Sequence, residues 1–265
     1  MDQWQSPVRA RLQAGEPVVA LTMTTPDVEA AAYASRLGFH LLWVEMEHSP
    51  ITLETLRLMV LATRGRPAQV FARVPVNDLW TAKRVLDQGV SGVIFPFTSN
   101  VGLAAQAAAA THYPPVGRRG SGAGLSMLTW PGSGPYYDSA DAQVVTICVV
   151  EEARALEQID EIAATPGIDV LFIGTSDLSF SLGLRGQQGS PEHRAAIEKI
   201  RDAALRHGKA VGRPAATAAQ MEEYRKEGFL FFQSVTNLGL MAAGARGILE
   251  PLGIQPAKED GRALY

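Results

Sequence analysis

The chain is poor in the features that mark exported, membrane-bound or nucleic-acid-binding proteins. It holds a single cysteine, Cys148, which excludes an internal disulfide and suits a reducing compartment. That cysteine sits inside the apolar run VVTICVV (144–150), where an inert core thiol is expected. No apolar run comes near the roughly 18 uninterrupted residues that a membrane-spanning helix requires. The opening MDQWQSPVRARLQAGEP has no apolar segment of the kind export signals carry, so an unexported, cytoplasmic chain is expected. A net charge of −3 and the lack of a basic stripe give no electrostatic argument for nucleic acid or for an anionic membrane. Lysine is scarce as well: Lys83, Lys199, Lys209, Lys226 and Lys258 are all there are.

What is present fits a globular chain. Hydrophobic residues make up 46% and charged residues 19%, enough to fill a sizeable core. Eight short apolar runs recur along it: VVALTM (18–23), HLLWVEM (40–46), QVFARV (69–74), GVIFPF (92–97), VVTICVV (144–150), DVLFIG (169–174), KAVGR (209–213) and FLFFQSV (229–235). They are too short for helices, rich in Val, Ile and Phe, and mostly apolar on both faces, as parallel strands covered by helices are. Stretches of helical period alternate with them. PDVEAAAYASRLG has Pro26 near its first turn and Gly38 at its end, and TLETLRLMVLATRG has Thr52 as a cap and Gly65 as its stop. Eight βα units in about 250 residues predict a TIM (β/α)8 barrel of the α/β class. A doubly wound sheet is the alternative, but it usually has fewer strands, and no G-x-G-x-x-G follows the first run.

No low-complexity linker divides the chain, so one domain over residues 1–265 is expected, with a long connection at 112–143 and a C-terminal tail at 251–265. The connection, HYPPVGRRGSGAGLSMLTWPGSGPYYDSADAQ, is rich in Gly, Pro and Ser. Loops of that length inside a compact domain are usually functional, and a mobile active-site or interface loop is expected here. Its GRRGSGAG stretch lacks the strand and lysine of a phosphate-binding loop. The tail GIQPAKEDGRALY is expected either to be disordered or to cover a neighbour.

In such a barrel the C-terminal ends of the strands carry the active site. Those ends collect Glu45, Glu47 and His48 after the second run, Arg73 closing the third, Glu151 closing the fifth and Asp177 after the sixth. Glu151 and Asp177 are expected to be neighbours, and two carboxylates that close repel one another unless a cation lies between them. Oxygen ligands with water completing the shell suit Mg2+ or Mn2+, and Co2+ or Zn2+ less selectively. On the residues alone, two separately solvated or salt-bridged acids and a glycosidase-type carboxylate pair stay open as alternatives. Arg73 ends an apolar strand, so its planar guanidinium either holds a carboxylate in two-point contact or pairs with an acid. Of the five histidines, only His48 stands at a strand's C-terminal end, which makes it the natural base near neutral pH. His40 precedes the second strand, His112 opens the long connection, and His193 and His207 lie on one later helix. No lysine follows a strand at this face, so Schiff-base chemistry is not expected and any enolate needs a metal to stabilise it.

These motifs resemble the HpcH/HpaI family of metal-dependent class II pyruvate aldolases, such as 4-hydroxy-2-oxoheptanedioate aldolase. The likeness covers most of the chain, through EMEHSP, ARVPVNDLWTAKRVLDQG, YPPVGRRG and the Glu151-to-Asp177 spacing that ends in DVLFIGTSDLS. The resemblance implies that Glu151 and Asp177 bind a divalent metal, with Glu47 near its water shell. It implies that Arg73 holds the oxo group and stabilises the enolate, that His48 is the base, and that Asp87 raises its basicity. The backbone of Gly174, Thr175 and Ser176 is then expected to receive the pyruvate carboxylate. A hexamer is implied too, with the long connection and the C-terminal helix at interfaces.

Two departures stand out. Val149 occupies a position where the family usually has a substrate-contacting Gln, and Glu45-Met46 replaces an Asp-Gly pair. The implied reaction is cleavage of a 4-hydroxy-2-oxoacid to pyruvate and an aldehyde through a metal-bound enolate, with the acceptor set partly by Val149. The alternatives are a decarboxylase or hydrolase of another oxoacid using the same enolate, and a non-catalytic oxoacid-binding barrel.

Overall fold

Alternation along each apolar run decides which side chains fill the interior and which meet the helices. The computed structural model describes residues 5–130 and 135–255. Its strands are β1 (Val18–Met23), β2 (Leu41–Glu45), β3 (Gln69–Arg73), β4 (Gly92–Phe95), β5 (Val145–Val150), β6 (Val170–Ile173), β7 (Ala210–Pro214) and β8 (Phe231–Thr236). They close into a barrel in sequence order, every neighbour parallel and β8 paired with β1. The fold is the expected TIM barrel, and each strand falls within its predicted run apart from one residue in each of two, Pro214 at the end of β7 and Thr236 at the end of β8.

Val18, Ala20, Leu41, Trp43, Phe71, Ile94, Ile147, Val149, Phe172 and Phe231 form the interior cluster. Their sequence neighbours, among them Leu42, Val44, Ala72, Cys148, Leu171 and Phe232, pack outward into the helices. Helix α1 (Pro7–Gln13) plugs the end where the strands begin: Val8 joins the interior cluster, and Arg9 meets Asp169 at 2.7 Å.

The remaining helices are α2 (Val28–Ala34), α3 (Leu53–Ala62), α4 (Leu79–Asp87), α5 (Val101–Thr111), α6 (Gly124–Thr129), α7 (Tyr136–Gln143), α8 (Ile159–Ala164), α9 (Thr175–Ser181), α10 (Pro191–Arg206), α11 (Ala218–Lys226) and α12 (Asn237–Leu249). Asp27, Thr52, Asp78, Asn100, Ser190, Thr217 and Thr236 cap their helices by accepting a first-turn N–H. No helix among the described residues is long and apolar enough to cross a membrane.

The long connection corrects one expectation. It joins α5, which descends from the C-terminal ends of the strands, to the start of β5, so it lies at the opposite end of the barrel from those ends. It is also no structureless loop, because it carries α6 and α7 and buries Trp130 and Tyr136 with ring centroids 5.0 Å apart. Ser126 Oγ donates to the Leu86 carbonyl (2.7 Å) and Trp130 Nε1 to that of Gly89 (3.1 Å), tying the segment to α4. It cannot cover its own chain's strand C-termini, where the active site is expected.

Helix α12 is anchored through Asn237, which accepts from the Thr24 N–H (3.0 Å) and donates to Thr25 Oγ1 (2.7 Å). Beyond that it buries none of its residues and exposes Leu238, Leu240, Met241 and Ile248. Residues 256–265 of the tail lie outside the described residues.

Candidate active site

Strand parity that turns Leu41, Trp43 and Phe71 inward continues to Glu45 and Arg73, and the Ile147–Val149 row continues to Glu151. Just below, Trp43 packs on Phe172 and Phe231 with centroids 5.0 and 6.4 Å away. The charged groups therefore stand on an apolar floor, where each interaction is less screened than in water.

Glu45 is 2% exposed and organises the turn after β2. Register sets it beside Arg73, whose Nε donates to Glu45 Oε2 at 2.6 Å. Trp43 Nε1 donates to the same oxygen (3.3 Å), and the backbone N–H groups of Glu47 (2.8 Å) and His48 (3.1 Å) donate to Oε1. Ser49 Oγ donates to the Glu45 carbonyl, closing the turn. Four donors on one carboxylate satisfy a buried charge that would otherwise be costly. Arg73 also reaches Glu47, Nη1 to Oε2 at 3.2 Å, and His48 Nε2 lies 3.7 Å from that oxygen. The guanidinium is 5.9 Å from the Trp43 ring centroid. Burial raises the Glu47 pKa, Arg73 and His48 oppose the rise, and Glu45 and Asp177 add to it.

Glu151 follows β5 and is also 2% exposed. Phe97, at the unusual φ of 49°, turns its N–H onto Glu151 Oε1 at 2.7 Å. Burial pushes the Glu151 carboxyl up to about 7; the Phe97 N–H and Arg73 oppose the rise, and Asp177 and Glu47 add to it. A Cβ at Gly174 would lie 2.5 Å from Glu151 Oε2, so only glycine leaves that oxygen its place. Asp177, in the first turn of α9, lies close enough for its charge to act on both Glu47 and Glu151.

Among the described residues Glu151 has no ion pair, and no cluster of three or more His, Cys, Asp or Glu is arranged around a cation. Two oxygen donors, one of them a buried carboxylate with no cationic partner, fit a hard divalent ion that keeps several waters. Thr175 is buried, and Gly174 donates its N–H to the Val150 carbonyl at 3.2 Å, locking the Gly174–Ser176 segment to the end of β5. Val149 is 1% exposed on the interior floor.

Asp87 does not join this group within one chain. It ends α4, hence stands where β4 begins, whereas His48 follows the far end of β2. The expected His48–Asp87 pairing is corrected to this extent: each helix carries the chain back down, so its last residue lies at the opposite end of the barrel. Burial raises the Asp87 pKa, with Arg119 and Lys83 opposing, and a Cβ at Gly122 would stand 2.8 Å from its Oδ2. Cys148 is fully buried with its thiol pushed up to about 12, the inert core group expected.

Two contributors escaped sequence reasoning. Glu45 is placed at the catalytic end by the sequence but given no role there, although its parity with Leu41 and Trp43 marks it as inward-facing. The Phe97 N–H has no signal in the sequence, because nothing local announces a left-handed phenylalanine.

Residues 24–243 match the family model described as HpcH/HpaI aldolase/citrate lyase. The chain is 32% identical over 256 residues to the hydroxypyruvate/pyruvate aldolase of Paraburkholderia phytofirmans, covering 94% of this chain and 98% of that one. It is 30% identical to the 4-hydroxy-2-oxo-heptane-1,7-dioate aldolase of Salmonella newport, covering 96% and 97%. A crystal structure of an HpcH/HpaI aldolase/citrate lyase family protein from Burkholderia cenocepacia superposes with a TM-score of 0.86 at 29% identity, over 94% of this chain and all of that one.

Proposed function

Because the chain belongs to the HpcH/HpaI aldolase/citrate lyase family, we propose that it is a divalent-metal-dependent pyruvate aldolase, a carbon–carbon lyase that reversibly cleaves a 4-hydroxy-2-oxoacid to pyruvate and an aldehyde. The observation that carries this reading is a guanidinium, Arg73, aimed by two acids and acting on a buried carboxylate, Glu151, that makes no ion pair among the described residues.

Glu151 and Asp177 are the residues to hold the ion, Mg2+ or Mn2+ by the hardness of their oxygens, with Glu47 facing its water shell. When bound, that ion supplies Lewis-acid polarisation of the 2-oxo group. The Gly174, Thr175 and Ser176 backbone takes the carboxylate. Arg73 has Nε and Nη1 engaged by Glu45 and Glu47, so its other N–H groups are left for the oxo oxygen, where negative charge grows as C3–C4 breaks. His48 takes the 4-hydroxyl proton. The O–H pair becomes the aldehyde carbonyl, the C3–C4 pair passes into the enolate, and a proton delivered to C3 gives pyruvate. Val149 lines the floor with a wall that cannot hydrogen-bond the acceptor.

We also infer a cytoplasmic homo-oligomer, a hexamer by family likeness. The exposed apolar residues of α12 favour cover by a second copy, and an Asp87 that supports His48 has to come from another chain.

Exchange of pyruvate methyl protons for deuterium tests the reading. With Mn2+ or Co2+ and no aldehyde, exchange is expected, stopped by chelator and restored by metal. His48→Ala should slow it by about two to four orders of magnitude. A folded, metal-loaded protein that exchanges nothing refutes the aldolase reading.

A further inference from the structure

A buried histidine on the outer side of α9, the helix that carries Asp177, has both ring nitrogens against backbone carbonyls. His193, in the first turn of α10, is 1% exposed; its Nε2 lies 2.8 Å from the Thr175 carbonyl oxygen and its Nδ1 2.8 Å from that of Gln188. Its own N–H is capped by Ser190 Oγ at 3.2 Å, so the helix start, the 183–190 loop and the first residue of α9 are tied through one ring. Carbonyl oxygens only accept, so each ring nitrogen bonds its carbonyl only when it carries a proton: the neutral ring serves one of the two, the doubly protonated ring both.

The Thr175 carbonyl and the Ser176 N–H belong to one planar trans peptide and point in opposite directions. A donor that fixes the carbonyl therefore fixes the N–H. We propose that His193 is a positioning residue for substrate: by donating Nε2–H to the Thr175 carbonyl from outside the barrel, it aims the Thr175–Ser176 peptide N–H at the carboxylate of the 2-oxoacid. This rests on the reading above, in which the Gly174–Ser176 backbone receives that carboxylate. The bond is paid to a peptide next to Gly174, whose own N–H is held by Val150, so the segment is braced from both sides before substrate arrives. Such preorganisation acts on substrate binding, while the carboxylates of Glu151 and Asp177 act on the ion.

Two variants of similar length separate this role from simple packing. His193→Gln keeps an N–H donor that reaches toward Thr175; His193→Met keeps the bulk and removes the donor. In the pyruvate deuterium-exchange assay, His193→Met should raise the KM for pyruvate about five- to tenfold, the scale of one net hydrogen bond, with Mn2+ affinity within about twofold of the parent. His193→Gln should recover most of the KM, although both variants lose the Gln188 partner and comparable thermal stability. Should His193→Met fail to fold, His193→Asn, which keeps a donor toward Gln188 and none toward Thr175, carries the same expectation. Equal pyruvate KM in the Gln and donor-less variants, or losses that follow melting temperature alone, overturn the proposal while leaving the aldolase reading intact. Absence of exchange in the parent protein overturns the aldolase reading itself.

Discussion

Replacing Glu151 by Gln should stabilise the metal-free protein at neutral and alkaline pH while removing its function. The carboxyl of Glu151 is held, mainly by burial, at about 7 against an ordinary 4.5. A raised carboxyl pKa means the folded chain binds more protons than the unfolded one between those values, so stability falls as pH rises from about 4.5 through about 7 and is level above. Each tenfold in proton affinity is worth about 1.4 kcal/mol, so the ionised side chain costs the metal-free fold about 3 kcal/mol by pH 8. Gln removes that cost and keeps an acceptor for the Phe97 N–H. For a chain of this length the gain corresponds to about 6 °C in melting temperature. Thermal melts of chelator-treated parent and variant across pH 4 to 8 read it: the gap should be near zero at the acid end and widen to its full value by pH 8. Saturating Mn2+ should close the gap by stabilising only the parent. A gap that stays constant with pH, or a variant that still binds and uses Mn2+, refutes the reasoning.

Arg73→Lys should lower the exchange rate about 10²- to 10³-fold, chiefly in kcat. One ammonium cannot serve Glu45, Glu47 and an oxo oxygen together, and a variant as fast as the parent would reduce Arg73 to an ion-pair partner. Val149→Gln should change the order of kcat/KM among acceptor aldehydes while leaving pyruvate exchange close to the parent; an unchanged order removes Val149 as a determinant of the acceptor. Hybrid oligomers of His48→Ala and Asp87→Ala chains should exceed the mean activity of their parents, since random mixing restores about one site in four when the pair is shared between copies. Activity at the parental mean would rule that sharing out.

The barrel was legible in the sequence because its signals are local. Run length, Val/Ile/Phe content and alternating helical stretches specify strand, helix and order without reference to distant residues, and chain direction alone puts Glu45, Arg73 and Glu151 at the catalytic end. Direction also places the 112–143 connection and Asp87 at the other end, a consequence that motif spacing obscured because LDQG and EMEHSP resemble one family's site regardless of face. What the tertiary structure decided is how the charges are settled. Phe97, Glu151 and Gly174 are far apart in sequence and meet only when β4, β5 and β6 pair; their meeting buries the carboxylate, supplies one N–H to Oε1 and leaves room at Gly174 for Oε2. The register of β2 on β3 likewise turns Glu45 from an unexplained substitution into the acceptor that aims Arg73. Desolvation and hydrogen-bond direction depend on every neighbour at once, so no single stretch of sequence contains them.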